Sequence, residues 1–156
     1  MGEARAAPRS GPDTGADRRA VRRGPSQWPV VAAVSVGGGL GTALRYGVSL
    51  LWPLPPDAFP WATLAVNATG CAVMGVFMVV ITEVWAAHRL VRPFFGTGVL
   101  GGYTTFSAYA ADIRRLALDG HPGSALADLL LTVATVLAAV AIAAALTRRA
   151  LEGRRR

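Results

Sequence analysis

The sequence predicts an all-α membrane protein of four transmembrane helices, and two observations carry that prediction. Hydrophobic residues make up 53% of the 156 positions and the mean hydropathy is +0.41, too apolar for a soluble domain that must cover its core with polar side chains. The apolar residues also fall into four runs near the roughly 20 residues that a helix needs to cross a bilayer. The alternating segments of about 10 residues expected of a membrane β-barrel are absent, so helices are left to satisfy the backbone in lipid.

The first run, 30–52, is broken only by Arg45. The second is uncharged from Ala62 to Thr82 and is extended to 60–84; the third is uncharged from Pro93 to Ala111 and is extended to 93–115. The fourth is uncharged from Leu129 to Thr147, within a span of 124–147. WPLPPDAFP, EVWAAHRLVR and RRLALDGHPGS separate the runs with Pro, Gly and charge, which break the apolar pattern. Together they delimit a transmembrane unit of residues 28–148, followed by a basic tail, 149–156. Residues 1–27 are rich in Arg, Pro, Gly and Ala and are expected to be a disordered basic tail. A cleaved signal peptide competes for this region, but the tail is long, the apolar run after it is of spanning length, and three more runs follow. Cys71 is the single thiol, so no disulfide forms within the chain.

All 16 basic residues are arginines, and they are unevenly placed. An N-terminus inside puts 13 of them on the inner side, Arg114 and Arg115 on the outer side, and Arg45 within a span. The positive-inside rule therefore expects both termini in the cytoplasm and a cell-membrane location. The net charge of +7 follows from topology; with neither aromatic interleaving nor a binding motif, it implies no nucleic-acid partner. Contact with anionic membrane lipid is its natural by-product.

Three clusters place polar or small residues where lipid penalises them. In GGGLGTALRY, Gly37 and Gly41 form a small-xxx-small face that admits a close neighbour. Arg45 either snorkels to the interface or lends its charge to an anion path. Thr63, Asn67 and Gly70 share one face of the second helix. The Asn67 amide needs partners: either a neighbouring helix or a dehydrated anion. In the third run, Gly96, Gly98, Gly101 and Gly102 precede Thr104 and Thr105. That text makes a weak helix, expected to be interrupted and to expose carbonyls to a cation. Phe106 and Tyr109 follow at i, i+3, serving either as core or as positive ring edges turned to an anion.

Taken in order, these texts resemble the CrcB/Fluc fluoride channel family, with its patterns GG-x-x-G-x-x-x-R-Y, N-x-x-G and GG-x-TTFS-x-F. Here they are Gly37, Gly38, Gly41, Arg45 and Tyr46; Asn67 and Gly70; and Gly101, Gly102, Thr104, Thr105, Phe106 and Ser107. The resemblance covers residues 36–112. It implies an antiparallel, dual-topology-type dimer with two narrow fluoride pores, through which fluoride leaves the cell passively, and no enzymatic activity. It also implies a structural sodium ion held by backbone carbonyls of Gly101 and Thr104 from each subunit. Asn67 is then a donor to fluoride and Phe106 a ring edge, Thr104 and Ser107 add hydroxyl contacts, and Thr132 and Thr135 continue a polar track. Two positions depart from the family pattern. Tyr109 stands where a second phenylalanine is usual, adding a hydroxyl that either donates to the ion or blocks its path, and Asp112 stands where Glu is common.

Dual insertion requires little charge bias and this chain has a heavy one, so its expected partner is an oppositely oriented relative rather than a second copy. Rival functions fit less well. A proton-coupled multidrug exporter of four helices needs a carboxylate in its first span, and none is there. A non-transporting scaffold would show ordinary packing without ion flux. An intramembrane hydrolase lacks a visible nucleophile and base, since His88 and His121 both fall in connections.

Overall fold

The computed structural model describes residues 26–53, 55, 58–85 and 88–154. The described chain is helical and contains no strand among the described residues. Most of the predicted N-terminal tail, residues 1–25, lies outside them.

Helix α1 spans Trp28–Leu51 and helix α2 spans Trp61–Glu83. Residues Arg92–Leu100 wind as a π-helix that leads into one α-turn, Gly101–Tyr103; these two pieces are α3. Helix α4 spans Phe106–Leu118 and α5 spans Pro122–Arg154. Both α2 and α5 are long and apolar enough to cross a membrane. Helix α1 has 24 residues, about 36 Å at 1.5 Å per residue, but five glycines and Arg45 dilute its apolar character. With 33 residues, α5 reaches roughly 50 Å, well beyond a hydrocarbon core of about 30 Å. The segment 149–154, read from sequence as part of a basic tail, continues this helix; its alanine, leucine, glutamate and arginine are good helix formers.

Glycine lets α1 lie directly on α3. A Cβ on Gly41 would run into the Val99 carbonyl, and one on Gly37 would stand 3.1 Å from the Gly98 Cα. Because residues 37 and 41 meet 98 and 99 in rising order, α1 and α3 run in the same direction. Helix α2 packs along α5 in the same manner, Gly75 seating the Val140 carbonyl at 2.6 Å from where a Cβ would sit. Their C-terminal halves are also joined by Arg148 Nε and Glu83 Oε1 at 2.9 Å. This pair is half exposed and contributes at most about 1 kcal/mol; with the Gly75 contact it shows that the two helices run in the same direction.

The bundle therefore runs up and down. The start of α1, the end of α2, the start of α3 and the end of α5 share one face, while the end of α1, the start of α2, the end of α4 and the start of α5 share the other. At the second face, Arg115 Nη2 donates to the Ala58 carbonyl at 3.1 Å and Thr63 Oγ1 to Asp112 Oδ2 at 2.7 Å.

Candidate functional site

Between α3 and α4 the backbone leaves the helix for two residues. Thr104 has φ −74°, ψ 156° and Thr105 has φ −149°, ψ 122°, both extended. Extended residues among helices leave backbone donors and acceptors unmatched, and in lipid each must find a partner. Three side chains supply most of these partners.

Asn67 of α2 clamps Thr105 through two hydrogen bonds. The Thr105 N–H donates to Asn67 Oδ1 at 2.8 Å, and Asn67 Nδ2 donates to the Thr105 carbonyl at 3.1 Å. A backbone N–H can only donate, so the amide orientation is fixed by its partners and one Nδ2 hydrogen remains for another acceptor. Thr105 in turn caps α4, its Oγ1 accepting the Ala108 N–H at 3.1 Å, a contribution of about 1 kcal/mol. From α1, Arg45 Nε donates to the Gly102 carbonyl at 3.2 Å. Arg45 is thus turned toward α3 rather than outward along the helix.

These diversions have a specific consequence. In an unbroken helix the Thr105 N–H would bond the Gly101 carbonyl, and the Ala108 N–H the Thr104 carbonyl. Asn67 and the Thr105 hydroxyl take those two donors instead. The Gly101 and Thr104 oxygens are thereby relieved of their helical partners and available to a hard cation, which prefers oxygen ligands. The Thr104 hydroxyl is not similarly available: Oγ1 donates to Leu100 O at 2.9 Å, and its methyl group lies against Gly70.

A groove of about 240 Å³ opens beside the clamp, lined by Asn67, Thr104, Thr105, Phe106, Tyr109 and Thr132, with Cys71, Val133 and Val136 completing its wall. The Phe106 and Tyr109 rings meet edge-on, with centroids 5.9 Å apart. Phe106 is 80% exposed on the single chain. Tyr109 is buried, and its hydroxyl donates to the Leu129 carbonyl of α5 at 2.9 Å. Ser107 sits beside the clamp, its Oγ 3.2 Å from Thr105 Oγ1, but does not line the groove. Neither does Thr135, which is half-buried on α5. Arg45 lines a second cavity of about 270 Å³ with Thr42, Ser49 and Thr63, and Thr105 borders both cavities.

The motifs of α1 and α2 thus converge on residues 98–105, and comparison with known proteins gives this convergence a family. The model for CrcB-like protein, Camphor Resistance (CrcB), matches residues 32–145. The chain belongs to the CrcB family. A CrcB relative from Streptomyces coelicolor, Fluoride-specific ion channel FluC 1, is 61% identical over 129 residues, covering 83% of this chain and 84% of its own. Fluoride-specific ion channel FluC 2 of Streptomyces avermitilis is 58% identical over 130 residues, with 81% and 82% covered. The FluC 2 of Nocardia farcinica is 50% identical over 127 residues, with 81% and 91% covered. This CrcB chain is accordingly a membrane protein.

Sequence reasoning quoted Thr105 only as part of a motif and overlooked its double role as clamped residue and helix cap. It also passed over Asp128, which is buried beside the groove-lining Thr132. The signal was present: Asp128 and Thr132 are four apart, on one face of a helix.

Proposed function

We propose that this chain is one subunit of a fluoride-specific channel that lets fluoride leave the cell passively and so lowers its cytoplasmic concentration. The observation that carries this reading is the Asn67 clamp. An amide pinned by an extended backbone residue offers its remaining N–H to a groove also bordered by an aromatic ring. Fluoride is small and strongly hydrated, so a pore selects it by replacing its water with convergent donors in a passage too tight for larger halides. Asn67 supplies an N–H and Phe106 the positive edge of its ring, while Thr132 lines the same groove with its hydroxyl hydrogen given to Asp128. Ser107 and Thr135 extend the polar path outside this groove, Tyr109 walls it, and Arg45 lends positive charge to the adjoining cavity. The relatives named as fluoride-specific channels support the same reading.

The functional unit is an antiparallel dimer. Phe106, exposed on the single chain beside the groove, is the side chain that a second subunit would cover. A structural sodium ion fits the Gly101 and Thr104 carbonyls, which Asn67 and Thr105 divert from helical bonding. It would supply a fixed positive charge joining the two subunits at their third spans.

Both termini face the cytoplasm. At the face shared by the α1 start and the α5 end, the described residues include Arg89, Arg92, Arg148, Arg149 and Arg154, against Arg114 and Arg115 at the opposite face. This bias directs a single orientation, so the partner is an oppositely inserted relative and the assembly a heterodimer. The numbered names of the relatives agree with genomes that carry more than one such chain. Growth of fluoride-sensitive bacteria tests the proposal. The chain co-expressed with a relative of opposite charge bias is expected to restore growth in fluoride, and the chain alone is not. Full rescue by the chain alone, with a channel-active homodimer purified from those cells, contradicts the heterodimer. Failure of every pairing contradicts the fluoride reading.

A further inference from the structure

Asp128 of α5 is 1% exposed. Its Oδ1 accepts the Thr132 hydroxyl at 3.1 Å, whereas Oδ2 is buried without a hydrogen-bond partner. A buried carboxylate oxygen left unpaired is costly. A second subunit does not remedy this, because the oxygen is enclosed within the single chain. Thr132 connects this carboxyl to function: it lines the groove with Asn67 and Phe106, and its single O–H is the one given to Asp128.

We propose that Asp128 is a proton-operated positioning residue that sets whether the Thr132 hydroxyl offers the groove a donor or only lone pairs. The inference rests on the fluoride reading above. With Asp128 ionised, the Thr132 hydrogen points at Oδ1 and the groove meets hydroxyl lone pairs, which repel an anion. When a proton from water forms an O–H at Oδ1, that O–H donates to Thr132 Oγ1. The Thr132 O–H then rotates into the groove and donates to fluoride. The same proton removes a negative charge from beside the anion path and leaves Oδ2 as a neutral carbonyl oxygen, whose burial unpaired costs less. A single protonation therefore changes one acceptor into one donor and lifts one repulsion, both in favour of conduction.

The other titratable groups nearby are accounted for. On α4, Tyr109 is bonded to the Leu129 carbonyl, and Asp112 is held by Thr63 and lies 3.9 Å from Arg115 Nε. On α2, Cys71 lines the groove, and Glu83 pairs with Arg148.

Fluoride efflux from vesicles containing the assembled dimer is the test, measured from about pH 8 to about pH 5.5, a window that buried carboxyl groups reach. Leak of undissociated acid is subtracted with protein-free vesicles. Efflux is expected to rise at least about threefold toward the acid end, roughly 0.6 kcal/mol at 1.36 kcal/mol per decade. Asp128→Asn, neutral at every pH, is expected to flatten the profile, and Thr132→Val, which loses the hydroxyl but keeps the Asp128 carboxyl, to show a shallower acid rise than wild type. A flat wild-type profile with fluoride efflux present overturns the proposal even if neither variant folds. So does an Asp128→Asn profile that keeps its slope, which would assign the pH dependence to a different group. Absence of fluoride efflux at every pH overturns the channel reading itself.

Discussion

Replacing Asn67 by Asp is expected to lower fluoride efflux by about a hundredfold or more, a loss of roughly 2.7 kcal/mol in the permeation barrier. The substitution keeps the side chain's shape. The carboxylate still accepts the Thr105 N–H in place of Oδ1, but the second oxygen now faces the Thr105 carbonyl, where Nδ2 had donated. That hydrogen bond becomes a repulsion, the spare N–H is lost and a negative charge enters an anion path. Helix α2 carries Asn67 in its first third and packs along α5 through other residues, Gly75 among them, so assembly is expected to survive. Efflux from vesicles, paired with gel filtration of the purified dimer, checks both parts. An assembled variant conducting within about threefold of wild type would show that the amide does not handle the ion.

The second large effect is expected at Phe106. Truncation to Ala is predicted to reduce fluoride efflux by about tenfold or more, while changing the stability of the single chain by no more than about 0.5 kcal/mol. The small structural cost follows from exposure, since 80% of Phe106 is uncovered on one subunit. The large functional cost follows from the ring's place on the groove beside Asn67, where its positive edge faces an anion with no water to replace it. Phe106→Leu separates the two contributions, because it restores apolar bulk without the quadrupole. If Leu conducts like wild type, the ring acts as a wall and not as an electrostatic partner. Efflux rates and thermal unfolding of both variants decide the matter.

Helical class and family membership were legible because they rest on local text. Apolar runs of spanning length are visible in any window, and the glycine, asparagine and threonine motifs stand in the expected order. The presence of Asn67 on a polar helix face also showed directly. Its partner did not, because Thr105 lies 38 positions away and spacing within α2 carries no information about it. The same holds for Arg45, whose two sequence readings were a reach to the interface and an anion path; its bond to Gly102 depends on how closely α1 lies on α3. The Tyr109 hydroxyl was ambiguous for a similar reason, since only the packing of α4 on α5 assigns it to Leu129. Asp128 stands just before the uncharged stretch 129–147, and nothing in that local text shows that the bundle encloses it. Where α5 stops could not be read either, because apolarity marks the membrane's edge and not the helix's.

Fluoride selectivity depends on donors near Thr105 taking the place of the ion's hydration shell in a passage that larger anions cannot share. Vesicles loaded with equal fluoride and chloride, and containing the assembled protein, measure this directly with ion-selective electrodes. The expected result is release of the fluoride while the chloride is retained at the level of protein-free vesicles. Release of both halides at the same rate would contradict it.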